Sequence, residues 1–369
     1  MKTKAKTKAQ TKAVSKRTAK SKAKPKPAPK AKKRGGFLRA IVALLAWLCL
    51  LVALLGTFSR ELPEELQSLP YVPAVAAFTP WFALLALLAL LLALVSRRWM
   101  AALLAIACLG FQGWRQYPYF VAQTHLDAAA ISAVGENHAD IHDSYARVMT
   151  VNVYKGRASA KAIVDAVRDQ RVEVLALQET TKPFVRALSA EGIDEYLPYS
   201  QISSSDGKYG NALFSATALD SPADDDVDSS ASFMPGGTVS FAGGKMPVRF
   251  VSVHTTSPKP GYWTQWHASL DDVATMRSHK HTRYVLMGDF NATTDHTPLR
   301  NILGSRFHDA AQSSGSGFVF TWPANRPGLP KFAGIDHIVL DRGIVAGQVG
   351  TVAIPGSDHA ALLATIAVK

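Results

Sequence analysis

The C-terminal part of the chain predicts an α+β fold, two β-sheets packed face to face with helices outside. Three observations carry that prediction. Eight short apolar runs of strand length follow one another after residue 145. Two stretches there show clear helical spacing. The two kinds are mixed, without the regular alternation of a doubly wound fold. By composition the chain divides into residues 1–36, 37–116, 117–146 and 147–369.

Residues 1–36 are low-complexity Lys, Ala, Thr and Pro. Residues 1–34 hold 15 Lys and Arg and no acid, against a net charge of +13 for all 369 residues. Such a tail has no apolar surface to bury and is expected to be disordered. It reads as a cytoplasmic extension that fixes membrane orientation. Binding to anionic lipid headgroups or nucleic acid is the alternative. Without the tail the charge is −2, and residues 117–369 carry −4.

Residues 37–116 predict about three transmembrane helices. Residues 40–58 and 77–95 are uncharged runs of 19, long enough to cross a hydrocarbon core of ~30 Å. Residues 99–114 form a third, shorter run of 16, followed by the interfacial aromatics Trp114, Tyr117 and Tyr119. Positive residues stay inside, so the tail and Arg97 and Arg98 are cytoplasmic. The loop of residues 59–76, with one Arg and three Glu, is then outside, as is everything after Trp114. The expected location is the cell membrane, multi-pass, with an extracytoplasmic C-terminal region. Two spans would leave that region inside. Cys49 and Cys108 both lie in apolar runs and report no redox compartment.

Residues 117–146 read as a small-residue, polar linker. Then "ARVMTVNVYKG" reads as a strand and "SAKAIVDAVRDQR" as a helix. The runs "VEVLALQET", "GNALFS", "GGTVSF" and "MPVRFVSVHTT" follow as strands. "YWTQWHASLDDVATMRS" is helical, and "YVLMGDFN", "IDHIVL" and "HAALLATIAV" complete the strands.

Strand ends in this region carry residues that bind metal or move protons: Asn152, Gln178 and Glu179, His254, Asp289 and Asn291, Asp336 and His337, Asp358 and His359. Each alone has an ordinary explanation. Asn152, Asp336 and Asp358 suit turns. Glu179 suits a helix N-terminus. A lone histidine on an apolar strand is more often a hydrogen-bonded core residue than a catalyst. Six such strand ends in one domain point to a site. Asp289 and Asn291, two apart, are expected on one face of a strand.

The series "TVNV", "LALQE", "YGNALFS", "VSVHTTSP", "VLMGDFN", "GIDHIVL" and "GSDHAAL" resembles the endonuclease/exonuclease/phosphatase superfamily, whose fold is deoxyribonuclease I-like. The resemblance spans about residues 147–369 and implies a four-layer αββα sandwich. It also implies a phosphoesterase in which Glu179 is a metal ligand. Mg2+, or Mn2+, suits oxygen donors of this kind, with Asn152 and Asp358 completing or orienting the metal shell. No Cys/His set with zinc spacing is present. Asp289 then orients or deprotonates a water, and Asn291 donates to a phosphoryl oxygen. By the same resemblance His359 contacts the phosphate and is held by Asp336. His254 is a second phosphate donor or the general acid. His337 stands where several family members carry an aromatic, a strand residue facing the other way.

The expected reaction is hydrolysis of a phosphodiester or phosphomonoester by metal-assisted in-line attack of water. Membrane attachment favours a lipid or lipid-linked substrate. A nuclease acting on DNA or RNA is the alternative, weakened by the −4 charge because nucleic-acid affinity draws on Lys and Arg. Lys155, Arg157, Lys182, Lys208 and Lys259 offer local patches near the strand ends. A membrane-anchored binding module without activity is a third reading.

Overall fold

The computed structural model describes residues 34–135, 139–140 and 142–369. The basic tail lies almost wholly outside the described residues, as do parts of the linker.

Among the described residues twelve strands form two six-stranded sheets. In chain order they are β1 (Tyr145–Asn152), β2 (Val174–Gln178), β3 (Tyr199–Ser203), β4 (Asn211–Ser215), β5 (Asp220–Ala223) and β6 (Gly236–Phe241). They continue as β7 (Met246–His254), β8 (Tyr284–Asp289), β9 (Phe307–Asp309), β10 (Asp336–Asp341), β11 (Ile344–Val352) and β12 (Ala361–Val368). One sheet has the order β11-β12-β1-β2-β4-β3 and the other β5-β6-β7-β8-β10-β9. β1 with β2 and β7 with β8 pair in parallel, and the remaining pairs are antiparallel.

Both faces of the central strands are buried, which is why they read as unbroken apolar runs rather than alternating ones. Val148, Ala176, Leu213 and Ile366 of one sheet meet Val248, Phe250, Met287 and Ile338 of the other between the sheets. The alternate residues Met149, Leu175 and Phe214 face outward onto Ile163, Val167 and Leu188. Those belong to helices Ala160–Gln170 and Lys182–Ala190. Val251, Leu286 and Val339 face Trp266, Leu270 and Leu299 of helices Trp263–Ala274 and Thr297–Leu303. The result is helix, sheet, sheet, helix: the four-layer α+β architecture. Gly288 lets the sheet close at its most crowded point. A Cβ there would lie 1.9 Å from the Val253 carbonyl oxygen, and φ is +152°.

Three antiparallel helices precede the sandwich: Arg34–Ser59, Thr79–Ser96 and Trp99–Gln116. Gly36–Ser59 and Thr79–Ser96 are long and apolar enough to cross a membrane. The third helix is 18 residues long but falls short of that measure, because Gln112, Arg115 and Gln116 sit in its last turns. Gln112 is buried and donates to Thr57 Oγ1 at 2.8 Å and to the Thr79 carbonyl at 3.0 Å. The bundle buries small residues, Ala46, Ala53, Ala86, Ala89, Ala93 and Ala105, and exposes Leu44, Leu51, Leu55, Leu84, Leu91 and Leu103. The expected linker contains a short helix, Ala128–Ala133, capped by Asp127.

The stretch around Ser221, absent from the strands predicted above, contributes the edge strand β5. Its four residues pair irregularly with β6 and are largely exposed, so no apolar run marks them.

Candidate active site

Strand direction explains why the candidate residues meet. β1, β2, β7 and β8 run toward one edge and finish there at Asn152, Gln178, His254 and Asp289. β10 is antiparallel to β8 and starts at that edge, with Asp336 paired to Asp289. β12 is antiparallel to β1 and begins just after Asp358 and His359. Asp336 and His337 therefore open a strand, and Asp358 and His359 lead into one, rather than ending one, and antiparallel pairing delivers them to the same place.

Contacts across the two sheets close the site. Asn152 Nδ2 donates to Asp289 Oδ2 at 3.1 Å, while its Oδ1 accepts from the Tyr154 amide at 2.9 Å. His359 Nδ1 lies 2.8 Å from Asp336 Oδ2, and its Nε2 lies 3.6 Å from Asp289 Oδ2. His254 Nε2 is 3.8 Å from Asp289 Oδ2 and 3.9 Å from Glu179 Oε1. Asn152, His254, Asp289, Asp336 and His359 are all buried, and Glu179 and Asp358 are partly exposed at the mouth.

Gln178 and Glu179 part company at the end of β2. Gln178 turns between the sheets and donates to Thr150 Oγ1 at 3.1 Å and Ser252 Oγ at 3.0 Å. Glu179 has φ of +59°, which swings its carboxylate into the site. Asn291 also departs from the sequence argument. β8 stops at Asp289, and Asn291 lies beyond it with φ of +46°, so the two-residue strand spacing does not apply. Its Nδ2 donates to the Thr255 carbonyl at 2.9 Å, and its backbone amide donates to Asp289 Oδ1 at 2.8 Å. His337 does face away: its Nδ1 meets Asp309 Oδ2 and its Nε2 the Ala292 carbonyl, each at 2.8 Å.

The electrostatics separate the histidines. Burial alone would push His359 down, but Asp336 and Asp289 outweigh it and raise it to about 10. His359 is therefore an imidazolium at neutral pH, with two N–H donors. Burial pushes His254 down, against the pull of Asp289, and keeps it neutral. Burial raises Asp289, opposed by His359, which makes it a stronger base than a free carboxylate.

The family implied by the motifs uses divalent ions, and the residues fit one. Glu179 is raised by burial and then by Asp358, and its Oε2 is buried without a hydrogen-bond partner among the described residues. A buried carboxylate oxygen with no donor, beside a second carboxylate, is the environment a hard cation satisfies. Asp289, Asp336 and His359 also bring one ligand atom each within 4.8 Å of one another. Within that cluster His359 Nδ1 already engages Asp336 Oδ2 at 2.8 Å, so the three groups are linked by hydrogen bonding among themselves.

Several supporting residues carried no assigned role in the sequence. Ser357 Oγ donates to the Asn152 carbonyl at 2.6 Å and accepts from the His359 amide at 2.9 Å. Asn211 Nδ2 donates to the Ser252 carbonyl at 3.2 Å. Ser357 stands in "GSDH" and Asn211 in "YGN", so the motifs themselves were the available signal. Trp266 and His296, which hold the loop after Asp289, gave none. Of the basic residues, Lys208 sits over the rings of Tyr209 and Tyr262 at 5.4 and 5.7 Å, and Lys259 over Tyr262 at 4.9 Å.

The sequence model of the Endonuclease/Exonuclease/phosphatase family matches residues 149–359. No curated protein matches the chain. Similar solved structures include truncated Caenorhabditis elegans TDP2, at 19% identity and TM-score 0.48, covering 61% of this chain and 98% of that one. D. rerio TDP2 complexed with single strand DNA product has 17% identity and TM-score 0.49, covering 61% and 99%. A Bacteroides thetaiotaomicron mannosyl-6-phosphatase has 16% identity and TM-score 0.48, covering 60% and 99%. The family match takes in more than half of the chain and runs from β1 to His359, so the chain belongs to the endonuclease/exonuclease/phosphatase family and is a hydrolase of ester bonds.

Proposed function

We propose that the protein hydrolyses a phosphoester by in-line attack of water, with Mg2+ or Mn2+ held by Glu179 and Asp358, on a lipid or lipid-linked substrate at the membrane surface. The observation that carries the chemistry is the His359–Asp336 pair set against Asp289. A divalent cation supplies neutralisation of charge on the phosphoryl and leaving oxygens. Asp289, raised by burial, orients the water and takes its proton. Asn152 holds that carboxylate in place. His359, fixed by Asp336, donates from Nε2 to a phosphoryl oxygen as charge builds there. Neutral His254 donates a hydrogen bond opposite, and its lowered pKa favours that role over general acid. Asn291 fixes the loop, its Nδ2 donating to the Thr255 carbonyl and its amide to Asp289 Oδ1.

A different observation supports the substrate class. The rim segment of residues 322–332 touches the site at one end, where the Ala324 amide donates to the Asp358 carbonyl at 2.7 Å. Its other end rests on the apolar helices: Trp81 Nε1 donates to the Phe332 carbonyl at 2.9 Å, and the Phe78 and Phe332 rings stack at 4.9 Å. The mouth therefore lies beside the end of helices that expose leucine to their surroundings. This supports a headgroup phosphate, in a bilayer crossed by these helices, as the substrate class.

The test is turnover of bis(p-nitrophenyl) phosphate with Mg2+ or Mn2+, with and without EDTA, in wild type and Glu179→Gln. Activity should appear with metal, vanish with chelator, and demand more metal in the variant. Full activity in EDTA would sink the metal assignment. A panel of phospholipid vesicles, plasmid DNA and RNA decides the substrate. Rapid plasmid nicking with steep salt dependence would restore the nuclease reading.

A further inference from the structure

The loop after Asp289 is gripped from outside the sandwich. Residues 60–78 join the first two long helices, and they dock directly on residues 293–301. Arg60 forms a buried ion pair with Asp295. Arg300 donates to the Arg60 carbonyl at 2.7 Å and to the Asp295 carbonyl at 2.6 Å. His296 Nε2 lies 2.8 Å from the Pro73 carbonyl, and its Nδ1 2.8 Å from the Thr293 amide nitrogen. A carbonyl only accepts and an amide only donates, so His296 has one usable tautomer, with its proton on Nε2. Tyr119, which follows the third helix, reaches the Thr294 hydroxyl.

From His296 the contacts continue to the catalytic carboxylate. The His296 ring packs edge-on against Trp266 at 5.2 Å. Trp266 Nε1 donates to the Asn291 carbonyl at 2.9 Å. The Asn291 amide donates to Asp289 Oδ1. Asn291 is held in the left-handed region at φ of +46°, a conformation that asparagine adopts more readily than other non-glycine residues and that these contacts fix here.

We propose that residues 60–78 are a built-in positioning element for the active site, in which Arg60 and His296 hold residues 291–296 in the backbone conformation that presents Asp289. Neither residue touches the reacting atoms; both act through the loop. The inference rests on the hydrolytic reading for its kinetic consequence, but the coupling itself does not need turnover to be seen. It makes the helical segment part of the enzyme rather than a tether. A catalytic loop braced by the connection between two apolar helices responds to anything that shifts those helices.

The experiment uses the full chain in detergent micelles, comparing wild type with Arg60→Ala, Arg60→Lys and His296→Ala. Two readouts are taken: kcat and KM on bis(p-nitrophenyl) phosphate, and amide hydrogen exchange over residues 290–297. A misplaced catalytic group costs between about tenfold and a hundredfold. The alanine variants should lose kcat by that range with KM within about twofold, and exchange in the segment should accelerate at least about tenfold. Arg60→Lys keeps the charge and should recover most of the kcat. If Arg60→Ala does not fold, His296→Ala carries the same two readouts. Unchanged exchange over residues 290–297 in the folded variants overturns the proposal whatever the activity. A wild type that turns over nothing, with exchange still accelerated in the variants, would count against the hydrolytic reading and for the coupling.

Discussion

Asp289 is where most of the site's contacts converge: Asn152, His254, His359 and the Asn291 amide all approach it. Replacing it should therefore cost far more than its neighbours' summed hydrogen bonds suggest. Asp289→Asn and His359→Ala are each expected to lower kcat by about 10² or more while Tm stays within a few degrees, as for groups acting on a proton or a developing charge. Wild-type binding of a native ligand by both variants, with no turnover by the parent, would favour the binding-module reading. The pH profile adds a second check. His359 is raised to about 10, so its charge is kept below that value and lost above it. The alkaline limb of kcat should fall near there and move down in Asp336→Asn. Acid stability tests His296 separately. Burial pushes it down to about 4, below its ordinary 6.5. Between those values the unfolded chain binds a proton that the folded one refuses, so stability is complete above 6.5 and lost as pH falls toward 4. At 1.36 kcal/mol per unit the loss is ~3 kcal/mol. A thermal-melt series from pH 7 to 4.5 should show it, and His296→Gln should flatten it. These residues were not equally legible. Glu179, His254, Asp289 and His359 stand out because polar types interrupt apolar runs. Trp266 and His296 do not, since an indole on a helix and a histidine in a turn look like ordinary core and loop.

At the scale of elements, five of the eight strands visible in the sequence, β2, β4, β8, β10 and β12, are buried along their whole length, and β1, β6 and β7 are buried over most of theirs. The four missed strands lack that signature. β3 and β5 are edge strands with exposed faces, β9 has three residues, and β11 is interrupted by a register shift between Gly347 and Gly350. Pairing, rather than local pattern, makes them strands. The four-layer order came through the motif resemblance, since period and length do not say which sheet a strand joins. The rim segment of residues 322–332 gives a test at this scale. Trp81→Ala removes both its hydrogen bond to Phe332 and the stacking of Trp81 on Phe320 at 5.6 Å, freeing the rim from the helices. Turnover of a phospholipid in vesicles should fall several-fold, on the order of the 1–2 kcal/mol expected for one buried hydrogen bond and one ring contact. Turnover of bis(p-nitrophenyl) phosphate should stay within about twofold of wild type. Equal losses on both substrates would count against a membrane-facing mouth.

For the whole molecule, the helical bundle makes a topological statement that hydropathy alone does not. Most of its buried residues are alanines and most of its exposed ones leucines, although Leu50 is buried, and this small-residue interior is the arrangement that lets helices pack closely in lipid. The third helix runs back alongside the second and ends at Tyr117, at the end where residues 60–78 also lie. Both meet the same face of the sandwich, through Arg60 to Asp295 and Tyr119 to Thr294. If the first two helices cross, the sandwich and residues 60–78 share one side, and Arg97 and Arg98 share the other with the tail. On the rule that Lys and Arg stay inside, that second side is expected to be the cytoplasmic one. The reduced apolarity of Trp99–Gln116 does not upset this, because Gln112 is satisfied inside the bundle and Arg115 lies in the last turn, paired with Glu61. The expected outcome is that a cysteine at Ser221, on the exposed edge strand β5, reacts with a membrane-impermeant maleimide in intact cells. A cysteine at Thr11 in the basic tail should react only after lysis. The native Cys49 and Cys108 lie within the bundle and contribute little background. The reverse pattern, with Ser221→Cys silent until lysis, would place the active site in the cytoplasm and bring nucleotides and nucleic acids ahead of outer-leaflet lipids as substrates.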